Sequence, residues 1–153
     1  ALALSRLSAL KDHPHLNDGA YQAGVDIAAS PEGRGKMHRA VAQMPEDATR
    51  ALAATQVMAM SKSADNLPWL MGLPFSDDAT RQRLLTSAIW KPDTDGVYDP
   101  VLTKWLATLP PETAAAHRAA LRAALLFQPD DWRLRVSRRI TDPELRRAVQ
   151  ESL

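Results

Sequence analysis

The histidines and carboxylates are the side chains of this chain best suited to chemistry, and their spacing can be tested first. His13-Pro14-His15 lies between Asp12 and Asp18. Imidazole and carboxylate together could hold a divalent metal. The proline, however, splays the two rings and no third histidine is near in sequence, so residues 13–19 read as a solvated loop. His38 sits among Arg34, Lys36 and Arg39 and reads as a surface residue. His117 falls on the apolar stripe of Ala114, Leu121 and Ala124, where a structural role is expected. Paired with Glu112 it is the one acid–base candidate, but side chains five apart on a helix face each other poorly.

The remaining acids have local explanations. Glu46-Asp47, Asp77-Asp78, Glu112 and Asp130-Asp131 stand where helices should begin, and a negative charge there complements the helix dipole. Ser5, Ser8, Ser61 and Ser63 have no evident base. Phosphate-binding loops, nucleophile elbows and the His-Glu-x-x-His pattern are missing from the sequence. Cysteine is absent, which removes disulfides, thiol nucleophiles and thiolate metal sites. The sequence therefore assigns no catalytic, metal or cofactor-binding residue.

Arginine is the more informative cation. Eight arginines lie in the last 36 residues, against Asp130, Asp131, Asp142, Glu144 and Glu151, an excess of three positive charges. If one helix continues through them, Arg135, Arg138 and Arg139 share a face, with Arg146 on the next helix. Guanidinium forks match carboxylate and phosphate alike. Arg135, Arg138, Arg139 and Arg146 are thus the candidate binding residues, toward an acidic protein or a nucleic acid. The competing reading is a solvated face paired with its own acids. The net charge of +1 supplies no global field toward either polymer.

These side chains must be positioned by helices. Hydrophobic residues make up 45% of the 153, but only 5% are aromatic, and the apolar stock is dominated by Ala and Leu, which favour helix over strand. Apolar stripes with a 3.6-residue period recur along the chain. Examples are Tyr21-Gly24-Val25-Ala28, Met37-Ala40-Val41-Met44, Ala48-Ala51-Leu52-Thr55-Met58 and Leu145-Ala148-Val149-Ser152. Start signals accompany them: Ser30-Pro31, Asp77-Asp78, Asp99-Pro100 and the capping box Thr141-Asp142-Pro143-Glu144. Polar breaks fall at 13–19, 62–66 and 91–96. About nine or ten helices are predicted, and no strand. No apolar run approaches the roughly 20 residues that a membrane-spanning helix needs.

The strongest pattern is self-similarity. Trp69-Leu70-Met71-Gly72-Leu73-Pro74 matches Trp105-Leu106-Ala107-Thr108-Leu109-Pro110 at four of six positions. Ala40-Val41-Ala42-Gln43-Met44-Pro45 is a weaker copy. Asp47-Ala48-Thr49-Arg50 returns as Asp78-Ala79-Thr80-Arg81, and in faded form as Ala115-Ala116-His117-Arg118. The prolines Pro45, Pro74 and Pro110 stand 29 and 36 residues apart, the longer step containing the polar insertion at 91–98. A two-helix period of this size is the mark of a helical-hairpin array. Residues 40–127 resemble the degenerate α-helical hairpin repeats of bacterial proteins, broadly similar to tetratricopeptide and HEAT-type solenoids. The Gly and Tyr positions of the tetratricopeptide pattern are not matched. The resemblance implies a binding scaffold and carries over no catalytic residue.

The expected fold is all-α: stacked antiparallel helical hairpins forming one domain over 1–153, as a short right-handed solenoid or an irregular helical bundle. The expected function is protein–protein interaction, with another protein or a peptide as partner, no cofactor and no membrane span. Nucleic-acid binding through the Arg-rich C-terminal helices is the alternative, and an enzyme whose site the sequence does not reveal is the third reading. The Ala- and Arg-rich usage suggests a bacterial source, and the sequence leaves open cytoplasm or periplasm. The start on Ala1 suits a cleaved export signal or a C-terminal fragment of a longer repeat protein.

Overall fold

A computed structural model describes residues 14–90 and 98–152. Among them are nine α-helices and no strand: α1 (Pro14–Ala28), α2 (Pro31–Ala42), α3 (Asp47–Met60), α4 (Asn66–Gly72), α5 (Asp78–Trp90), α6 (Tyr98–Leu106), α7 (Pro111–Leu126), α8 (Asp130–Ser137) and α9 (Pro143–Gln150). The all-α expectation is met. No helix among the described residues is long and apolar enough to cross a membrane. The chain forms two compact units, Ala1–Lys62 and Ser63–Leu153.

In the first unit α1, α2 and α3 each pack on the other two. Helix α2 starts where the sequence predicts, with Ser30 Oγ accepting from the Gly33 N–H at 3.0 Å and Pro31 in the first turn. Gly33 is buried because there is no room for a side chain. A Cβ there would come within 1.9 Å of the Ile27 carbonyl oxygen. The core is Met37, Val41, Met44, Ala54, Val57 and Met58. Two sequence expectations fail here. Residues 14–19, read as part of a loop, belong to α1; proline in a first turn costs no intrahelical bond, so Pro14 starts the helix rather than breaking the chain. His13 lies outside the described residues. On α3 the buried face is Ala53, Ala54, Val57 and Met58, while Leu52 is exposed. The alanines let α3 approach its neighbours closely, and that face wins over the one bearing the larger leucine.

In the second unit α7 is central to the packing, with α5 and α9 against it; α6 packs on α5, and α8 lies by α9. Leu85, Leu102, Leu106, Leu121, Leu125 and Leu145 are essentially sealed from solvent. Burying one such side chain contributes about 1.5–3 kcal/mol, so this leucine layer dominates the unit's packing. The predicted stripe of Ala114, Leu121 and Ala124 on α7 is buried, as are Leu145 and Val149 of the stripe on α9. Asp77 caps α5, accepting from the Ala79 and Thr80 N–H groups at 3.1 and 3.0 Å. With a further hydrogen bond from the Thr80 hydroxyl as the leading cause, its carboxyl is held below the ordinary aspartate range. Residues 91–96, the predicted polar break, lie outside the described residues.

The three related hexamers occupy matching local positions. Each ends a helix: α2 at Ala42, α4 at Gly72, α6 at Leu106. The second residue of each, Val41, Leu70 and Leu106, is at most 1% exposed, and each proline is exposed. Trp69 and Trp105 are both half-buried. The helix that follows begins with an acid or proline.

Candidate functional site

The polar chemistry of the second unit centres on two buried acids. Asp99, only 2% exposed, lies in the first turn of α6. Its Oδ1 accepts from Trp90 Nε1 at 2.8 Å and its Oδ2 from the Thr141 N–H at 2.8 Å. The Thr103 hydroxyl donates to the Asp99 carbonyl at 3.1 Å and lies 2.6 Å from the Thr141 hydroxyl. Nearby in sequence, the Asn66 amide donates to the Tyr98 hydroxyl at 2.8 Å. A buried acid needs its lone pairs satisfied, and Asp99 meets that need with groups 9 and 42 residues away in sequence. Read from sequence, Asp99 is the cap preceding Pro100. The structure corrects this: α6 already includes Tyr98, so Asp99 lies within its first turn, and the carboxylate ties the end of α5 to the entry of α9.

Asp142 is the second acid, also 2% exposed. It is the true N-cap of α9, accepting from the Leu145 N–H at 2.8 Å. This displaces Thr141 from the cap role that the capping-box pattern gave it, because Thr141 is committed to Asp99. Arg118 reaches from α7 and grips Asp142 with both sides of its fork, Nε to Oδ1 at 3.0 Å and Nη2 to Oδ2 at 2.9 Å. Its remaining Nη1 pairs with Glu144 at 3.0 Å. Burial pushes the Asp142 carboxyl up, but the Arg118 fork and the Leu145 N–H outweigh it and hold the group below the usual aspartate range. The hydrogen bond to Asp142 likewise raises the Arg118 guanidinium. Both networks are closed on themselves, so they build the fold rather than present a reactive group.

His117 meets the edge of this region. Its ring lies 5.0 Å from the Trp105 ring at a tilt of 41°. Burial lowers its pKa, which fits the structural role read from its stripe. Glu112, its proposed partner, is exposed in the first turn of α7. Among the described residues no group of three His, Asp or Glu side chains could hold a metal ion.

The candidate binding arginines lie around the α8–α9 corner. Helix α8 ends at Ser137, so Arg138 is its C-cap and Arg139 follows in the turn. They therefore do not continue one helical face with Arg135, as a longer helix would allow. The helix stops because Ile140 turns into the core, at 1% exposure. Arg135 pairs with Asp131 at 3.2 Å, both side chains about two-thirds or more exposed, a contact of at most about 1 kcal/mol. Arg138, Arg139 and Arg146 are exposed, as is Arg147, which the sequence reading passed over. Beside them Leu134 is 46% exposed, one helical turn before Arg138.

Arginine also acts inside the fold, through a device the sequence reading missed. The fourth residue of α2, α3 and α5 is Arg34, Arg50 and Arg81. Arg34 Nη1 donates to the carbonyls of Ala28 and Ala29 at 2.9 and 3.2 Å. Arg50 donates to the Met44 carbonyl and, at 2.7 Å, to Asp47. Arg81 Nη2 donates to the Met71 carbonyl at 3.4 Å. Each arginine reaches back to the end of the preceding helix, where carbonyls lack intrahelical donors and the dipole favours a cation. The recurring Asp-Ala-Thr-Arg was visible in the sequence at two of these joints; its purpose was not.

Compared with known proteins, the chain matches no family model, no curated protein and no solved structure.

Proposed function

We propose that this chain is a protein-interaction scaffold of stacked helical hairpins with no catalytic activity of its own. One observation carries the reading: the same joint recurs three times, at 40–50, 69–81 and 105–111. In each a helix carries a buried aliphatic in its last turn (Val41, Leu70, Leu106), an exposed proline follows, and a new helix starts within a few residues. Repetition of a structural joint serves surface building, since stacked hairpins present an extended face to a partner. The two buried acids support it from the other side, because both are spent on holding helices together. Arg135, Arg138, Arg139 and Arg146 are the proposed contacts.

The reading is tested by cross-linked capture from the native host, followed by reconstitution of the complex from two purified proteins. A stoichiometric complex by light scattering is the expected result. Capture of no stoichiometric protein, together with turnover of a small molecule by the purified chain, would overturn it.

A further inference from the structure

At the α8–α9 corner the local acids are engaged by an arginine from another helix. Between residues 138 and 147 the chain carries four arginines, Arg138, Arg139, Arg146 and Arg147, and two acids, Asp142 and Glu144. In sequence the acids look like local counter-charges. In the structure both are taken by Arg118 from α7, and Asp142 is buried beneath it. The four arginines are exposed and form no ion pair among the described residues. Arg139 and Arg146 are joined by a short turn and one helical turn, so their Cα atoms are at most about 20 Å apart. The corner is thus a compact cationic surface whose two acids are both engaged by Arg118, Asp142 buried and Glu144 exposed.

Its composition narrows the partner. Every cation is arginine, which binds carboxylates in paired hydrogen bonds. Leu134 stands exposed one turn from Arg138, and apolar area beside arginine is typical of protein interfaces. Trp132, the one aromatic residue between 128 and 152, is half-buried; the stacking platforms of single-strand binders are therefore not offered here. With a net charge of only +1, the chain also lacks the broad basic footprint of a duplex binder.

We infer that the α8–α9 corner, through Arg138, Arg139, Arg146, Arg147 and Leu134, docks an acidic protein segment that also carries large apolar side chains. This rests on the interaction reading above and names its surface and partner chemistry. Carboxylates of the segment take the guanidinium forks, and an apolar side chain covers Leu134.

The test is fluorescence anisotropy of the whole chain with a labelled peptide of Glu and Leu residues, a matching peptide with Gln for Glu, and labelled single-stranded and duplex DNA. The Glu–Leu peptide binds, the Gln peptide does not, and binding weakens with salt. The combined variant Arg138→Glu, Arg139→Glu, Arg146→Glu and Arg147→Glu weakens the peptide by about tenfold or more, and Leu134→Ser by roughly fivefold. All five side chains are exposed, and unchanged circular dichroism melts identify folded variants. Peptide binding that is unchanged in the fourfold variant overturns the proposal. So does tighter binding of either DNA than of the peptide at matched salt. A reconstituted protein complex that the fourfold variant still forms would refute this surface while leaving the scaffold reading intact.

Discussion

In residues 14–60 helices are drawn together by small side chains and backbone acceptors, whereas in residues 66–152 they are bound by buried side-chain networks. The first region depends on Gly33 against the Ile27 carbonyl, on the alanine face of α3, and on Arg34 and Arg50 donating to carbonyls. These arginine–carbonyl bonds span five or six residues of sequence, and the Tyr21 hydroxyl donates to the Ala59 carbonyl at 3.4 Å. The second region depends on Asp99 and Asp142, whose partners lie up to 42 residues away. The difference teaches where each region is vulnerable. Close backbone approach is broken by adding atoms; a buried ionic network is broken by removing one member or by adding a proton.

The largest effect is expected at Asp142. Asp142→Ala removes a helix cap and leaves Arg118 without its bidentate partner, which together should cost about 4 kcal/mol. All four tryptophans lie in the second unit, so urea denaturation followed by tryptophan fluorescence reads this loss directly. A shift below about 1 kcal/mol would mean that the Arg118 network contributes little.

Gly33→Ala is the matching break in the first unit. The added methyl meets backbone, which cannot swing away, and about 3 kcal/mol of destabilisation is expected. Gly24→Ala is its control. A Cβ there comes nearest the flexible end of the Met60 side chain, Sδ and Cε at 2.6 and 2.8 Å, and that side chain can change rotamer at a cost under about 1 kcal/mol. Hydrogen exchange of the α1–α3 amides separates the two outcomes; equal effects would refute the distinction.

Proton addition sharpens the comparison further. The Asp142 pKa is lower folded than unfolded, so its contribution is present above the unfolded value of about 4 and is lost as pH falls through the folded value. His117 is also lowered. Its neutral form is favoured in the fold, so stability declines as pH falls below the unfolded value of about 6.5. The second unit should therefore lose stability in two stages on acidification. His117→Phe should remove the upper stage and Asp142→Asn the lower, as read by thermal melts across pH.

Smaller effects belong to the arginine joints. Arg50→Lys keeps the charge but cannot serve Asp47 and the Met44 carbonyl with one planar fork, and should cost about 1 kcal/mol. Thr103→Val, which removes a half-exposed hydroxyl bonded to Thr141 and the Asp99 carbonyl, should cost less than about 1 kcal/mol.

What the sequence revealed follows the same division. Local signals were legible: the Ser30-Pro31 start, the Asp77 cap, and the stripes of α7 and α9 depend on residues within a turn or two of one another. Asp99 and Asp142 were misassigned because their partners come from remote helices, and a capping pattern weighs only near neighbours. The choice between Thr141 and Asp142 as cap is settled by Asp99, 42 residues upstream. The arginines at 138 and 139 were placed on a helical face because nothing local marks Ser137 as an end; the burial of Ile140 does. The charge balance of this corner was legible as a sum, but which acids Arg118 would claim was not.

The arginine joints carry a consequence for how such a protein can change over generations. A guanidinium that grips a main-chain oxygen asks nothing of the side chain attached to that oxygen. Ala28, Met44 and Met71 supply the oxygens here, and their buried side chains answer to packing rather than to the grip. The grip constrains only the donor. Helix pairs held in this manner can differ in wording while keeping the same posture, as Arg34, Arg50 and Arg81 do in three dissimilar surroundings.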